Sequence, residues 1–410
     1  MDHQIIHLSN GIRVLLKPAD TVVSHACILI NAGTRDELSE QYGMAHFVEH
    51  LLFKRTERRS TNQILNHLES VGADLNAYTT KEYTCVHASF LKDHLPRVLD
   101  LFEDIIFHSV FPESEMEKEK SVILDEIASY QDSPEDSIAD DFEDLLFDRH
   151  ALGHNILGTS ESLKGITRQS VFQFLKENYC TDQIVLAITG NYDWKKVQRL
   201  AESILAKIPA NLSKRVRNMD VHYHPVRKEV AKPIAQTHVS IGNIAYSLHD
   251  DRKIGLMVLN NLLGGMGMSS RLNLQIREKY GIAYTIESNY TPFTDTGMFS
   301  IYYGTDADKA DRARKLVNKE LKKLRDAKLG SLQLHQAKQK FIGQIALGEE
   351  NRMGVLISMA KNLLDYDKVN TLEEVVEQIK KVNAEELLAI SNEIFDESQL
   401  SQLDFIPEQE

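Results

Sequence analysis

Long apolar runs are missing from this 410-residue chain, and none reaches the roughly 18 residues that a membrane-spanning helix requires. The opening stretch, MDHQIIHLSNGIRVLLKP, has neither the basic start nor the apolar core of a signal peptide, so a cytoplasmic protein with no membrane partner is expected. Cysteine is also scarce. Cys27, Cys85 and Cys180 are odd in number, widely spaced and without a CxxC, which argues against a disulfide framework and a thiolate zinc site. They read as small core residues. Basic charge is in deficit, 47 Lys and Arg against 60 Asp and Glu, and the net charge of -13 disfavours nucleic acid and anionic membranes, which reward positive patches. The same balance favours basic ligands wherever the acids line a cleft. What is present is globular in character, 42% hydrophobic and 26% charged, in a chain long enough for two domains or more.

The segment QIIHLSNGIRVLLK alternates apolar and polar residues around Asn10-Gly11, the dipeptide that best fits a two-residue hairpin turn, and SHACILINAG supplies a third strand. Apolar spacing becomes helical over residues 41–53 and in TNQILNHLESVG, then returns to a β pattern in NAYTTKEYTCVHASF. Long helices fit residues 92–108 and 112–131, with Pro112 near the start of the second, and the strand QIVLAITGN precedes a helix in DWKKVQRLAESILAKI. Strands and helices mix without regular βαβ alternation, which indicates an α+β fold. The polar, Lys/Arg-rich stretch 208–229, with Pro209 and Pro225, reads as a linker between a domain of residues 1–207 and one of residues 230–410.

Beyond the linker the order of elements repeats: a strand in AQTHVSIGNIAY, a helix in KIGLMVLNNLLGG, strands in GIAYTIESNY and GMFSIYYGT. His50-Leu51-Leu52 is echoed by Asn261-Leu262-Leu263, and Ala77-Tyr78-Thr79 by Ala283-Tyr284-Thr285. The shared order and similar offsets predict two homologous domains, each a mostly antiparallel sheet flanked by helices and related by internal duplication. The counterparts of His46, Glu49 and His50 are then Met257, Asn260 and Asn261, which cannot form the same site.

The stretch GMAHFVEHLLFKRT, residues 43–56, carries the chemistry. His46 and His50 lie one helical turn apart on one face, so both imidazoles can reach a single ion, and two imidazoles suit Zn²⁺. Glu49 sits on nearly the same face, placed to act as general base on a metal-bound water without being a ligand. Five such residues alone could match by chance, and the site needs a third ligand. The amphipathic segment EMEKEKSVILDEIASYQ offers Glu119 and Glu126, seven apart and therefore on a common face.

With these residues in place, the GxAHFxEH pattern followed by Glu119 and Glu126 resembles the pitrilysin/insulysin family of inverted-motif zinc peptidases, and among them the members of about 400 residues related to the processing peptidases. The likeness extends through NAYTTKEYT, HALGHNILGTSESL and SSRLNLQIREKYGIAYTIES. It implies a zinc endopeptidase shaped as half of a clam-shell, with one Zn²⁺ per chain held by His46, His50 and Glu126. Glu49 is then the base, and Glu119 a carboxylate that orients a ligating imidazole. It further implies that the edge strand Asn76-Ala77-Tyr78-Thr79 takes an extended peptide as an added strand, and that Arg277 and Tyr284 donate hydrogen bonds to the scissile carbonyl. Asp136 and Asp140, i and i+4 in an acidic run, are expected to meet a basic substrate side chain. Since one chain carries both the zinc motif and the Arg/Tyr pair, a homodimer is expected, with a heterodimer containing an inactive homologue as the alternative. A non-catalytic scaffold of the same fold is the competing reading, but it has no reason to keep the full ligand set. The chain departs from the common pattern at Phe53-Lys54-Arg55-Thr56 and His150-Ala151-Leu152-Gly153, both loop adjustments.

Overall fold

The alternating start of the chain folds as a hairpin of β1 (Gln4–His7) and β2 (Arg13–Pro18), paired antiparallel from Gln4 opposite Leu16 to His7 opposite Arg13. Its turn is one residue longer than the two-residue form that Asn10-Gly11 suggests. The Gly11 N–H donates to Leu8 O at 3.0 Å and the Leu8 N–H to Ile12 O at 2.8 Å, with Gly11 at φ +98°. This is the three-residue loop whose last position needs the left-handed backbone that glycine adopts without strain. The Asn10 side chain spans two roles: Oδ1 accepts from the Ile12 N–H at 3.3 Å within the turn, and Nδ2 donates to Leu205 O and Ile208 O at 2.8 and 3.0 Å.

The computed structural model describes residues 3–217 and 223–408. After the hairpin come β3 (Val23–Ile30), α1 (Met44–Leu51), α2 (Thr61–Glu69), β4 (Asp74–Thr79), β5 (Thr84–Leu91), α3 (Leu95–Phe107) and α4 (Glu113–Gln131). Next are α5 (Pro134–Leu146), α6 (Ser160–Gly165), α7 (Arg168–Asn178), β6 (Ile184–Gly190) and α8 (Trp194–Leu205). The later part holds β7 (Arg227–Lys232), β8 (Thr237–Ala245), α9 (Lys253–Gly264), β9 (Ala283–Pro292), β10 (Gly297–Thr305) and α10 (Ala310–Asp326). It ends with α11 (Ser331–Gly348), α12 (Arg352–Tyr366), α13 (Leu372–Lys381), α14 (Ala384–Ile394) and β11 (Ser401–Pro407).

Among the described residues there are two sheets, ordered β1-β2-β6-β3-β5-β4 and β7-β11-β8-β10-β9. Without β1, the first sheet matches the second strand for strand and sense for sense. β2 lies parallel to β6 as β7 does to β11, and all other neighbours are antiparallel. This agreement carries the internal duplication and the α+β class with two homologous domains.

The domains are not the contiguous halves 1–207 and 230–410, and the boundaries need correction. One compact unit comprises Met1–Ile127, Asn155–Arg215 and Gly348–Thr371; the other comprises Ala128–His154, Val216–Leu347 and Leu372–Glu410. The cause is apolar burial. In the first unit, Leu356, Met359, Ala360, Leu363 and Leu364 of α12 cover Leu15, Cys27, Leu29, Cys85, Val185 and Ala187 on one sheet face. In the second, Ile138, Phe142 and Leu146 of α5 pack with Met298, Leu403 and Phe405. Each helix completes a core remote from it in sequence. Of the expected linker, residues 218–222 lie outside the described residues, and strand β7 already begins at Arg227.

Candidate metal and catalytic site

Helix α1 starts at Gly43, whose φ of +91° and close packing both demand glycine: a Cβ there would sit 2.6 Å from Leu157 O. The exposed N–H groups of its first turn meet a buried acid. Glu37 accepts from the Gly43 N–H at 2.8 Å and the Ala45 N–H at 2.7 Å, a carboxyl group capping a helix N-terminus. Burial pushes the Glu37 carboxyl well up, with the two N–H donors opposing. Met44, Ala45, Phe47, Val48 and Leu51 of α1 are buried in the first core, which leaves His46, Glu49 and His50 to turn toward α4 and β4.

His46, His50 and Glu126 each offer an atom such that all three lie within 4.8 Å of one another. His46 Nε2 is 3.9 Å and His50 Nε2 3.8 Å from Glu126 Oε2. Ligands about 2.0–2.1 Å from a tetrahedral zinc would stand roughly 3.4 Å apart, so the two His–Glu separations are close to those a bound metal ion would set. The second nitrogen of His50 explains its orientation. Nδ1 lies 3.0 Å from Glu119 Oε1, and Glu119 Oε2 is held by Lys54 Nζ at 2.5 Å, so the chain Lys54–Glu119–His50 aims Nε2 at Glu126. Burial, with His50 beside it, holds the His46 imidazole down at about 3, which keeps it neutral and ready to ligate.

Glu49 is buried, with its carboxyl raised chiefly by that burial and lowered by a hydrogen bond from Thr79 Oγ1 to Oε2 at 2.6 Å. Tyr179, buried behind it, has its phenol pushed up by burial and by the nearby Glu49. β4 is the outer strand of its sheet, so Asn76, Ala77, Tyr78 and Thr79 form a free edge. The Ala77 N–H there donates to Asn76 Oδ1 at 2.8 Å.

The remaining expected residues belong to the second unit. Arg277 and Tyr284 line a cleft of 790 Å³ that also contains Met257, Asn260 and Asn261, the positional counterparts of the histidine cluster. Tyr284 is 62% exposed. Asn260 Oδ1 and Asn261 Oδ1 are buried there without hydrogen-bond partners. Asp136 and Asp140 line a separate cleft of 320 Å³ together with Glu135, Glu143 and Glu287. Neither Glu37 nor the Lys54 ammonium on Glu119 was expected at the site from the sequence. Glu37 had one available signal, an acid shortly before a glycine that opens an apolar helix.

Two family models match the chain: insulinase (peptidase family M16) over residues 13–160, and the peptidase M16 inactive domain over residues 165–341. The Bacillus subtilis protein described as the uncharacterized zinc protease YmxG is 33% identical over 392 residues, covering 95% of this chain and 94% of its own. An uncharacterized zinc protease of Streptomyces coelicolor is 30% identical over 395 residues, with 94% and 86% covered. Among solved structures, a protease from Helicobacter pylori superposes with a TM-score of 0.91 at 22% identity over 99% of both chains. The peptidase M16 inactive domain from Pseudomonas fluorescens also gives 0.91, at 21% identity over 100% of this chain and 98% of that one. At these identities the structural likeness speaks for the fold, and the sequence relatives speak for descent. With both halves matched by family models and relatives at 30% identity or more along nearly its whole length, the chain belongs to the insulinase family of peptidases, M16.

Proposed function

We propose that the protein is a zinc-dependent endopeptidase that hydrolyses peptides or short unfolded polypeptides. The observation that carries this reading is the convergence of His46, His50 and Glu126 within 4.8 Å, with the buried carboxylate of Glu49 on the same helix face. Zinc bound by the three ligands would activate a water and polarise the scissile carbonyl. Glu49 takes a proton from that water and hands it to the departing amine. An extended peptide adds to the free edge of β4, where it must displace Asn76 Oδ1 to engage the Ala77 N–H. The cleft with Asp136, Asp140 and three further acids suits a Lys or Arg side chain of the substrate. A reducing, cytoplasmic setting agrees with three cysteines that are all buried as free thiols.

Assembly belongs to the same proposal: a homodimer in which Arg277 and Tyr284 of one chain serve the zinc site of the other. The exposed phenol of Tyr284 is available to donate to a carbonyl oxygen as it becomes negative. A twofold dimer mixed from Glu49→Gln and Arg277→Ala chains should regain about a quarter of wild-type activity although each variant alone is inactive. No recovery on mixing would rule out supply between chains.

The catalytic reading is tested by incubating wild type and Glu49→Gln with a mixed peptide library, reading fragments by mass spectrometry and metal by elemental analysis. Glu49→Gln should keep its zinc and lose cleavage by about 10²–10⁴-fold. Zinc in both proteins with cleavage in neither would refute the peptidase reading.

A further inference from the structure

Thr79 ends β4 and Thr80 follows it, and the two threonines do different work. The Thr80 hydroxyl is a turn device, donating to Tyr83 O at 2.9 Å and accepting from the N–H groups of Tyr83 and Glu82 at 3.1 and 3.3 Å. The Thr79 hydroxyl instead crosses to α1 and donates to Glu49 Oε2 at 2.6 Å, the short length of a bond to a charged acceptor. Glu49 Oε1 has no hydrogen-bond partner among the described residues.

We propose that Thr79 is a positioning residue for the reaction, which fixes the rotation of the Glu49 carboxylate so that Oε1 is the oxygen that carries the proton. This rests on the peptidase reading above. The terminal torsion of glutamate is broad and roughly two-fold, so an untethered carboxylate would present either oxygen over a wide arc. With Oε2 engaged, Oε1 alone takes a proton as the water O–H bond breaks and the water oxygen bonds to the carbonyl carbon, leaving Glu49 as the carboxylic acid. It returns that proton to the amine nitrogen as the C–N bond breaks, which restores the carboxylate.

The location of Thr79 adds a consequence. It belongs to the edge strand proposed to receive the peptide, so the same six-residue strand that aligns the scissile bond also aligns the base. A strand displaced by a poorly matched peptide would carry the anchor of Glu49 with it. Misplacement of a catalytic group by about 1 Å can cost up to 10²-fold in rate. Discrimination between substrates is then expressed in turnover as well as in binding.

The test compares Thr79→Val, which keeps the shape and removes the hydroxyl, with Thr79→Ser, which keeps the hydroxyl and removes the methyl. Wild type and both variants are assayed for kcat, KM, zinc content and melting temperature. Thr79→Val should lower kcat about tenfold, with KM within about twofold and zinc unchanged, and Thr79→Ser should recover most of the loss. If Thr79→Val unfolds, Thr79→Ala replaces it in the same comparison. Full kcat without the hydroxyl, a loss confined to KM, or a Ser variant as impaired as the Val variant would each overturn the assignment while leaving the peptidase reading intact. Zinc-loaded wild type that cleaves nothing would overturn both.

Discussion

His50 can present Nε2 to a metal because its Nδ1 is already engaged by Glu119, whose other oxygen is held by Lys54. Replacing Glu119 by Gln should therefore weaken zinc binding by about 10–100-fold, measured by competition with a chelator of known affinity. Unchanged affinity would mean that Glu119 orients nothing. His46 has a different signature. Its folded-state value is depressed to about 3, whereas an unfolded histidine titrates near 6.5. Below about pH 6.5 the unfolded chain binds a proton that the folded chain refuses, so this contribution favours folding above that pH and is lost as pH falls toward 3. The urea midpoint of metal-free protein should drop between pH 7 and pH 5, and more steeply in wild type than in His46→Asn. Of this neighbourhood, helix spacing put His46, Glu49 and His50 on one face and Glu119 and Glu126 on another, and it was the resemblance to the inverted-motif zinc peptidases that tied the two helices to one site. The hydroxyl of Thr79 on Glu49 and the carboxyl of Glu37 under α1 were not legible in the sequence, because those partners meet through the tertiary fold, with no periodicity to betray them.

Helix α1 depends on how its first turn is met. Gly43→Ala adds a Cβ at positive φ and 2.6 Å from Leu157 O, so it should destabilise the protein by about 1–3 kcal/mol, read from urea unfolding. Gly72→Ala is the control, since its φ of +71° is also left-handed but nothing lies within 4 Å. It should cost less, about 1 kcal/mol; equal losses would show that the contact with Leu157 is unimportant. Long helices were readable at this scale, with α3 (Leu95–Phe107), strongly periodic, inside the expected 92–108 and α4 (Glu113–Gln131), weakly periodic but long and free of internal Gly and Pro, inside 112–131. Strand β11 was not. Its pattern is broken by Gln402 and Asp404, which are buried as a mutual pair, with Gln402 Nε2 2.8 Å from both carboxylate oxygens of Asp404 and Arg314 Nη2 2.9 Å from one of them. β7, with four charged residues in RKEVAK, has no apolar face to announce it.

On the scale of the whole molecule, each core borrows a helix from the far part of the chain. Residues 1–217 expressed alone would lack α12 and leave Leu15, Cys27, Leu29, Cys85, Val185 and Ala187 uncovered. That fragment should bind a hydrophobic dye or aggregate, and co-expression with residues 223–410 should restore a folded complex. A fragment that melts cooperatively by itself would show that α12 is dispensable. The duplication was legible because both sheets repeat the same order of elements. The exchange was not, because an amphipathic helix declares an apolar face without declaring which sheet that face will cover. The central claim, one catalytic zinc held by His46, His50 and Glu126, meets its most direct test in a titration of metal-stripped protein with Zn²⁺ while peptide cleavage is followed. Activity should rise in proportion to added metal and level off at one zinc per chain, and full activity in the stripped protein would contradict the account.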